Sequence, residues 1–176
     1  MSLENLLAIS STVLTLVAII VALFANYYSN KNNKQQLRVK NLEELFEVIQ
    51  SLSKFYNRFK NLYCFVLVLR DPTNKDIQTR NQYFAERDKY ISENEWEQIN
   101  RYLSRIEVLT ACYTDGALKS KLLNYEKLMY SFADFIFNSG NFQHELYWKN
   151  GYPNFDEFYL ILKDLKEDIV SEIKGE

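Results

Sequence analysis

The chain has 176 residues, 47% hydrophobic and 15% aromatic, with 13 Tyr and 12 Phe but only 4 Gly and 2 Pro. So few turn-formers argue against a fold of many short strands and favour long helices. With 21 Lys and Arg against 23 Asp and Glu, the formal charge of -2 argues against an electrostatic nucleic-acid binder, and direct nucleic-acid binding is not expected.

The charges are unevenly placed. All 21 Lys and Arg follow Asn30, and no acidic residue occurs between Glu4 and Glu43. Leu6–Ala25 is a run of 20 residues without a charge. As a helix it spans about 30 Å, the thickness of a bilayer's hydrocarbon core. A cleaved signal peptide would have a basic start and a shorter apolar stretch, whereas this segment begins with Glu4 and no Lys or Arg. Residues 1–28 are therefore expected to form a transmembrane anchor. Lys31, Lys34, Arg38 and Lys40 follow at once, in a basic juxtamembrane segment over 29–41. Positive charge stays on the cytoplasmic side, so the N-terminus is expected outside and the large domain in the cytoplasm. Tyr27 and Tyr28 stand where an interfacial aromatic belt is expected, and the four cations suit anionic headgroups.

Within the span, Ala8, Ser11, Thr15, Ala18, Ala22, Ala25 and Ser29 recur at alternating spacings of three and four. Small residues on one stripe let helices approach closely in lipid, so this seam is expected to mediate self-association or line a pore. No ionisable group lies in the span, so a proton relay or voltage sensor is not expected.

Asn26–Lys40 is polar without Pro or Gly and is expected to carry the helix onward. Leu42, Leu45, Phe46, Ile49, Leu52, Phe55, Tyr56, Phe59, Leu62, Tyr63, Val66 and Leu69 then predict one amphipathic helix ending near Arg70, before the breaker Asp71-Pro72-Thr73-Asn74. Ile77–Tyr90, highly charged, reads as a loop plus a short helix. Ser92 and Glu95 form a capping-box pattern ahead of an inward stripe at Trp96, Ile99, Leu103, Ile106 and Leu109. After Thr114-Asp115-Gly116, a helix over Ala117–Phe137 turns Leu118, Leu122, Tyr125, Leu128, Met129, Phe132, Phe135 and Ile136 inward, and Asn138-Ser139-Gly140-Asn141 closes it. Asn154 and Glu157 cap a last helix whose expected buried face is Phe155, Phe158, Leu162, Leu165 and Ile169. The expected class is all-α: one N-terminal transmembrane helix followed by a cytoplasmic bundle of four to five helices over 42–176.

Little catalytic chemistry is visible. Nucleophile elbows, phosphate-binding glycine loops and dinucleotide fingerprints are absent, and no cofactor is expected. Cys64 and Cys112 lie in apolar helical patterns without a second ligand nearby. They are expected to be buried free thiols in a reducing compartment, with a disulfide as the alternative and no metal site. Trp96 and Trp148 read as core or rim aromatics. The pairs Glu43-Glu44 and Asp156-Glu157 are expected in first helical turns, where the helix dipole favours them. His144 is the one histidine, just after Phe137-Asn138-Ser139-Gly140.

A single-pass anchor, a short basic flank and a helical domain of this size resemble the small accessory proteins of type VI-B CRISPR loci, which carry a divergent HEPN-like domain. The resemblance covers essentially the whole chain and rests on its layout. It implies a location in the bacterial inner membrane, a HEPN-like fold for the domain, a ring-shaped homo-oligomer in lipid whose opening permeabilises or depolarises the membrane, and functional coupling to an RNA-guided antiviral RNase. HEPN RNases use an Arg followed by a polar residue and, a few positions on, a His. Here Asn138 and His144 match the latter two, while Phe137 stands where the Arg belongs, so no catalytic residue is expected. The alternatives are a tethered HEPN-type RNase using Asn138 and His144, and a tethered adaptor that only binds proteins.

Overall fold

A computed structural model describes residues 3–71, 73, 79–138 and 151–175. Every regular element among them is a helix: α1 (Leu3–Ser53), α2 (Tyr56–Arg70), α3 (Arg80–Tyr90), α4 (Glu93–Tyr113), α5 (Gly116–Phe137) and α6 (Phe155–Lys174). The all-α expectation holds. The chain divides into two compact units, Met1–Lys40 and Asn41–Glu176, and α1 contributes to both.

Three of the helices start on reciprocal caps. At α3 the Gln82 amide donates to Thr79 Oγ1 at 3.3 Å while Thr79 N–H donates to Gln82 Oε1 at 3.0 Å. At α6 the Glu157 amide donates to Asn154 Oδ1 at 2.9 Å, and the Glu157 carboxylate accepts from Asn154 N–H at 2.7 Å. At α4 the Glu95 carboxylate accepts from both Ser92 N–H, 2.9 Å, and Ser92 Oγ, 3.0 Å. The Ser92 amide and, after it, the Arg58 guanidinium hold the Glu95 carboxyl below the usual carboxylate range. Each cap satisfies amides that the first turn leaves orphaned. Between α4 and α5 only Thr114 and Asp115 intervene, and Gly116 takes φ +53°, a left-handed conformation that glycine adopts without strain.

The second unit packs around α5, which lies against α2, α4 and α6, while α3 lies against α2. Its core is unusually aromatic. Phe132 of α5 stacks on Tyr152 at 3.8 Å and meets the Tyr56, Phe59 and Tyr63 rings of α2 edge-on at 5.4–5.9 Å. The buried tyrosines each place their hydroxyl on a backbone carbonyl: Tyr56 on Pro153 O at 2.8 Å, Tyr83 on Ile136 O at 2.6 Å, Tyr125 on Ile49 O at 3.2 Å and Tyr152 on Ser131 O at 3.0 Å. A buried phenol without a partner is costly, so each bond ties two elements together at a defined register. Burial raises all four phenols, Tyr152 to about 12, so they remain donors at every physiological pH.

Four expectations need correction. The amphipathic stretch from Leu42 is two helices, because α1 ends at Ser53 and α2 begins at Tyr56. Ser53 Oγ donates back to Ile49 O at 2.7 Å and lies 2.7 Å from Tyr125 Oη, and Phe55 N–H turns to Leu52 O at 3.0 Å. Side-chain back-bonding of this kind bends helices, here without Pro or Gly. Phe155 is 60% exposed, because Tyr152 and Pro153, both buried just ahead of the cap, occupy the ground it was expected to fill. Leu162 is only half-buried. Cys64 and Cys112 are free but exposed, at the margins of the buried stripes of α2 and α4. Glu43 and Glu44 lie deep within α1 instead of at a helix start, and Glu44 grips Arg105 of α4 through two bonds of 2.5 and 2.6 Å. Asp156 and Glu157 do occupy the first turn of α6.

The membrane-type helix and the α5 terminus

The first unit is helix alone. From Leu14 to Tyr28 every large side chain is exposed: Leu14, Leu16, Val17, Ile19, Ile20, Val21, Leu23, Phe24, Tyr27 and Tyr28. At 100° per residue these side chains cover the broad side of the helix and small residues hold the rest, and both sets are exposed. By length and composition it is the one candidate membrane-crossing helix among the described residues. Apolar exposure of this extent is far beyond what a folded domain leaves to water.

The small-residue positions Thr15, Ala18, Ala22, Ala25 and Ser29 share one stripe and are exposed. Ile20, Leu23, Phe24 and Tyr27 line a shallow depression on the opposite side. The side chains of Ala8 and Ser11 lie outside the described residues. Below the apolar stretch, Tyr27 and Tyr28 meet edge-on at 5.7 Å, and Asn30 Nδ2 donates to Asn26 Oδ1 at 3.2 Å along the same helix. Lys31, Lys34, Arg38 and Lys40 follow on exposed helix, so the helix carries both the apolar and the cationic segment.

At the far end of the chain's central helix, Asn138 is the C-cap of α5. Its amide donates to Asp134 O and Ile136 O, and its side chain donates to Asp134 Oδ1 at 2.9 Å. That is a helix-ending role. His144 and Trp148 lie outside the described residues. Phe137, where a HEPN RNase would have Arg, is 47% exposed. A cation does stand there, supplied from α3: Arg87 donates to Phe137 O at 2.9 Å and lies over the Phe137 and Phe84 rings at 4.9 and 4.8 Å. Its other nitrogens bind Asp88 at 2.7 and 2.9 Å, so the guanidinium is committed to closing the α5 terminus. Periodicity could not have found Arg87, because the contact spans 50 residues of sequence. The Thr79–Gln82 capping pattern that starts its helix was visible and is what positions it.

Comparisons with family models, with curated proteins and with solved structures find no match. The functional reading therefore rests on the chain's own chemistry. Among the described residues no three His, Cys, Asp or Glu side chains gather as a metal site. Trp96 is a core residue whose indole N–H has no acceptor among the described residues.

Proposed function

We propose that the chain is a non-enzymatic, single-pass membrane protein that self-associates through its anchor into a pore, with the helical domain in the cytoplasm. The observation that carries this reading is the complete apolar girdle of Leu14–Tyr28, uncovered by protein on every side. Only lipid, or lipid and further copies, can cover such a surface. Large residues suit lipid, and the stripe through Thr15, Ala18, Ala22 and Ala25 suits close backbone approach between copies. The cations from Lys31 to Lys40 favour the orientation that leaves them in the cytoplasm.

The resemblance to type VI-B CRISPR accessory proteins supports the finer reading: a HEPN-like domain, and membrane depolarisation that strengthens an RNA-guided RNase against phage. An RNase role for the chain itself is disfavoured by Phe137 in the arginine position and by Arg87 being spent on the helix end. The test is a membrane-potential dye in cells carrying the CRISPR RNase and challenged with phage. Wild type should depolarise the membrane, and the double variant Ala18→Leu, Ala22→Leu should lose most of that effect at equal expression. Equal depolarisation by the two proteins would refute the packing argument.

A further inference from the structure

The shallow depression of α1 is formed by Ile20, Leu23, Phe24 and Tyr27, at i, i+3, i+4 and i+7 of one helix. The same side continues into the cationic segment. At 100° per residue these four side chains, Lys31 and Lys34 fall within an arc of about 100°. All six are exposed. The centre of that arc stands roughly 170° from the stripe of Thr15, Ala18, Ala22, Ala25 and Ser29, and Lys40 falls on the small-residue side. The whole arrangement lies on continuous helix inside the first unit.

The order along this stripe is that of a phospholipid. Large apolar side chains come first, then a ring with a polar tip, then two ammonium groups rooted about 6 and 10 Å beyond Tyr27 along the axis. Helical side chains lean towards the N-terminus, so both lysines reach back towards Tyr27 and the apolar segment. Edge-on contact with Tyr28 at 5.7 Å holds the Tyr27 ring beside them. Lys31 and Lys34, three residues apart, are neighbours on the helix surface, placed to share one phosphate. Glu4 is the one acidic residue among the first 40, so no nearby carboxylate of this stretch competes for them. Arg38, about one turn beyond Lys34 on the same side, has an interaction of its own and is left out of the site. We propose that the stripe binds one anionic phospholipid, its acyl chain along Ile20, Leu23 and Phe24 and its phosphate between Lys31 and Lys34. A phosphatidylcholine fits less well, because its own ammonium would meet two like charges. The inference rests on the membrane reading and not on self-association. Since the site faces away from the small-residue stripe, it stays open when copies pack through that stripe.

The experiment places the full chain in nanodiscs of equal parts phosphatidylglycerol and phosphatidylcholine. The lipids that stay on it after release into detergent are then counted by native mass spectrometry. Phosphatidylglycerol should be retained preferentially, with about fivefold contributed by each lysine, and Lys31→Gln or Lys34→Gln should each remove one such factor. Lys40→Gln removes the same charge from the other side of the helix and should change the preference by less than about twofold. Phe24→Ala should lose part of the retained lipid at an unchanged preference. Excess sn-glycerol 3-phosphate, which has the phosphate without the chain, should not displace the lipid. In a chain that has entered the discs, four results each overturn the site and leave the membrane reading standing: equal retention of the two lipids, an equal loss of preference in Lys31→Gln and Lys40→Gln, full retention in Phe24→Ala, or displacement by glycerol phosphate. A chain that does not enter the discs overturns the membrane reading and the site together.

Discussion

The double substitution Leu16→Arg, Ile20→Arg separates the proposed membrane role of α1 from the folding of the domain. Both side chains are exposed, 58% and 44%, so neither change removes a protein contact of the core. In a membrane the outcome differs. The span Leu6–Ala25 contains 12 Leu, Ile, Val and Phe. At about 0.3–0.6 kcal/mol each their combined contribution to insertion is roughly 4–7 kcal/mol, before the polar Ser and Thr subtract from it. Each arginine near the centre costs about 2.5–3.5 kcal/mol and also loses the residue it replaces, so two of them move the balance by roughly 6–8 kcal/mol. That reverses the sign. Wild type should remain in the pellet after carbonate extraction of membranes, and the variant should leave it. Circular dichroism of the variant should show a domain that melts where the wild type does. Carbonate-resistant membrane association of the variant would refute the lipid-covered girdle, and an unfolded domain would refute the independence of the two roles.

Phe132→Ala removes the ring that Tyr56, Phe59, Tyr63 and Tyr152 surround; a loss of about 4 kcal/mol is expected, measured by thermal or urea denaturation. Glu126 has a buried carboxylate oxygen without a hydrogen-bond partner among the described residues, and burial, then the charge of Glu107, raises its pKa above the ordinary 4.5. Its ionisation therefore opposes folding: the penalty is absent below pH 4.5 and appears as pH rises through the folded-state value. Glu126→Gln should melt higher than wild type near neutral pH and lose that advantage at about pH 4, which a pH series of melting curves will show. Tyr125→Phe deletes the hydroxyl that contacts Ser53 and the Ile49 carbonyl; about 1 kcal/mol is the expected cost, read as a lower urea midpoint with unchanged slope.

The helices were legible because their signals are local. The stripes of α4 and α5 are buried residue for residue as their spacing requires, and the Ser92 and Asn154 caps sit where the pattern placed them. Departures arose where distant contacts decide. The bend after Ser53 goes with a hydroxyl bonded back to Ile49 O and set 2.7 Å from Tyr125 Oη, 72 residues away, an arrangement no helical period describes. Phe155 lost its core position to Tyr152 and Pro153, whose inward packing against Phe132 and Tyr56 no helical period describes. The Arg87 clasp on the α5 terminus likewise needs two helices to be brought together first. Both cysteines fit an apolar stretch by sequence yet sit at its margin, since a 3.6-residue period gives only one face to the core.

That margin has a chemical consequence. Two accessible sulfhydryl groups, Cys64 on α2 and Cys112 on α4, make the domain sensitive to the redox poise of the compartment that bathes it. Where glutathione prevails they stay reduced and neighbouring molecules touch only reversibly. In an oxidising space such as the periplasm, copies brought together can become covalently linked through these thiols and fixed in whatever arrangement they held, so the surroundings decide whether such a contact can come apart again.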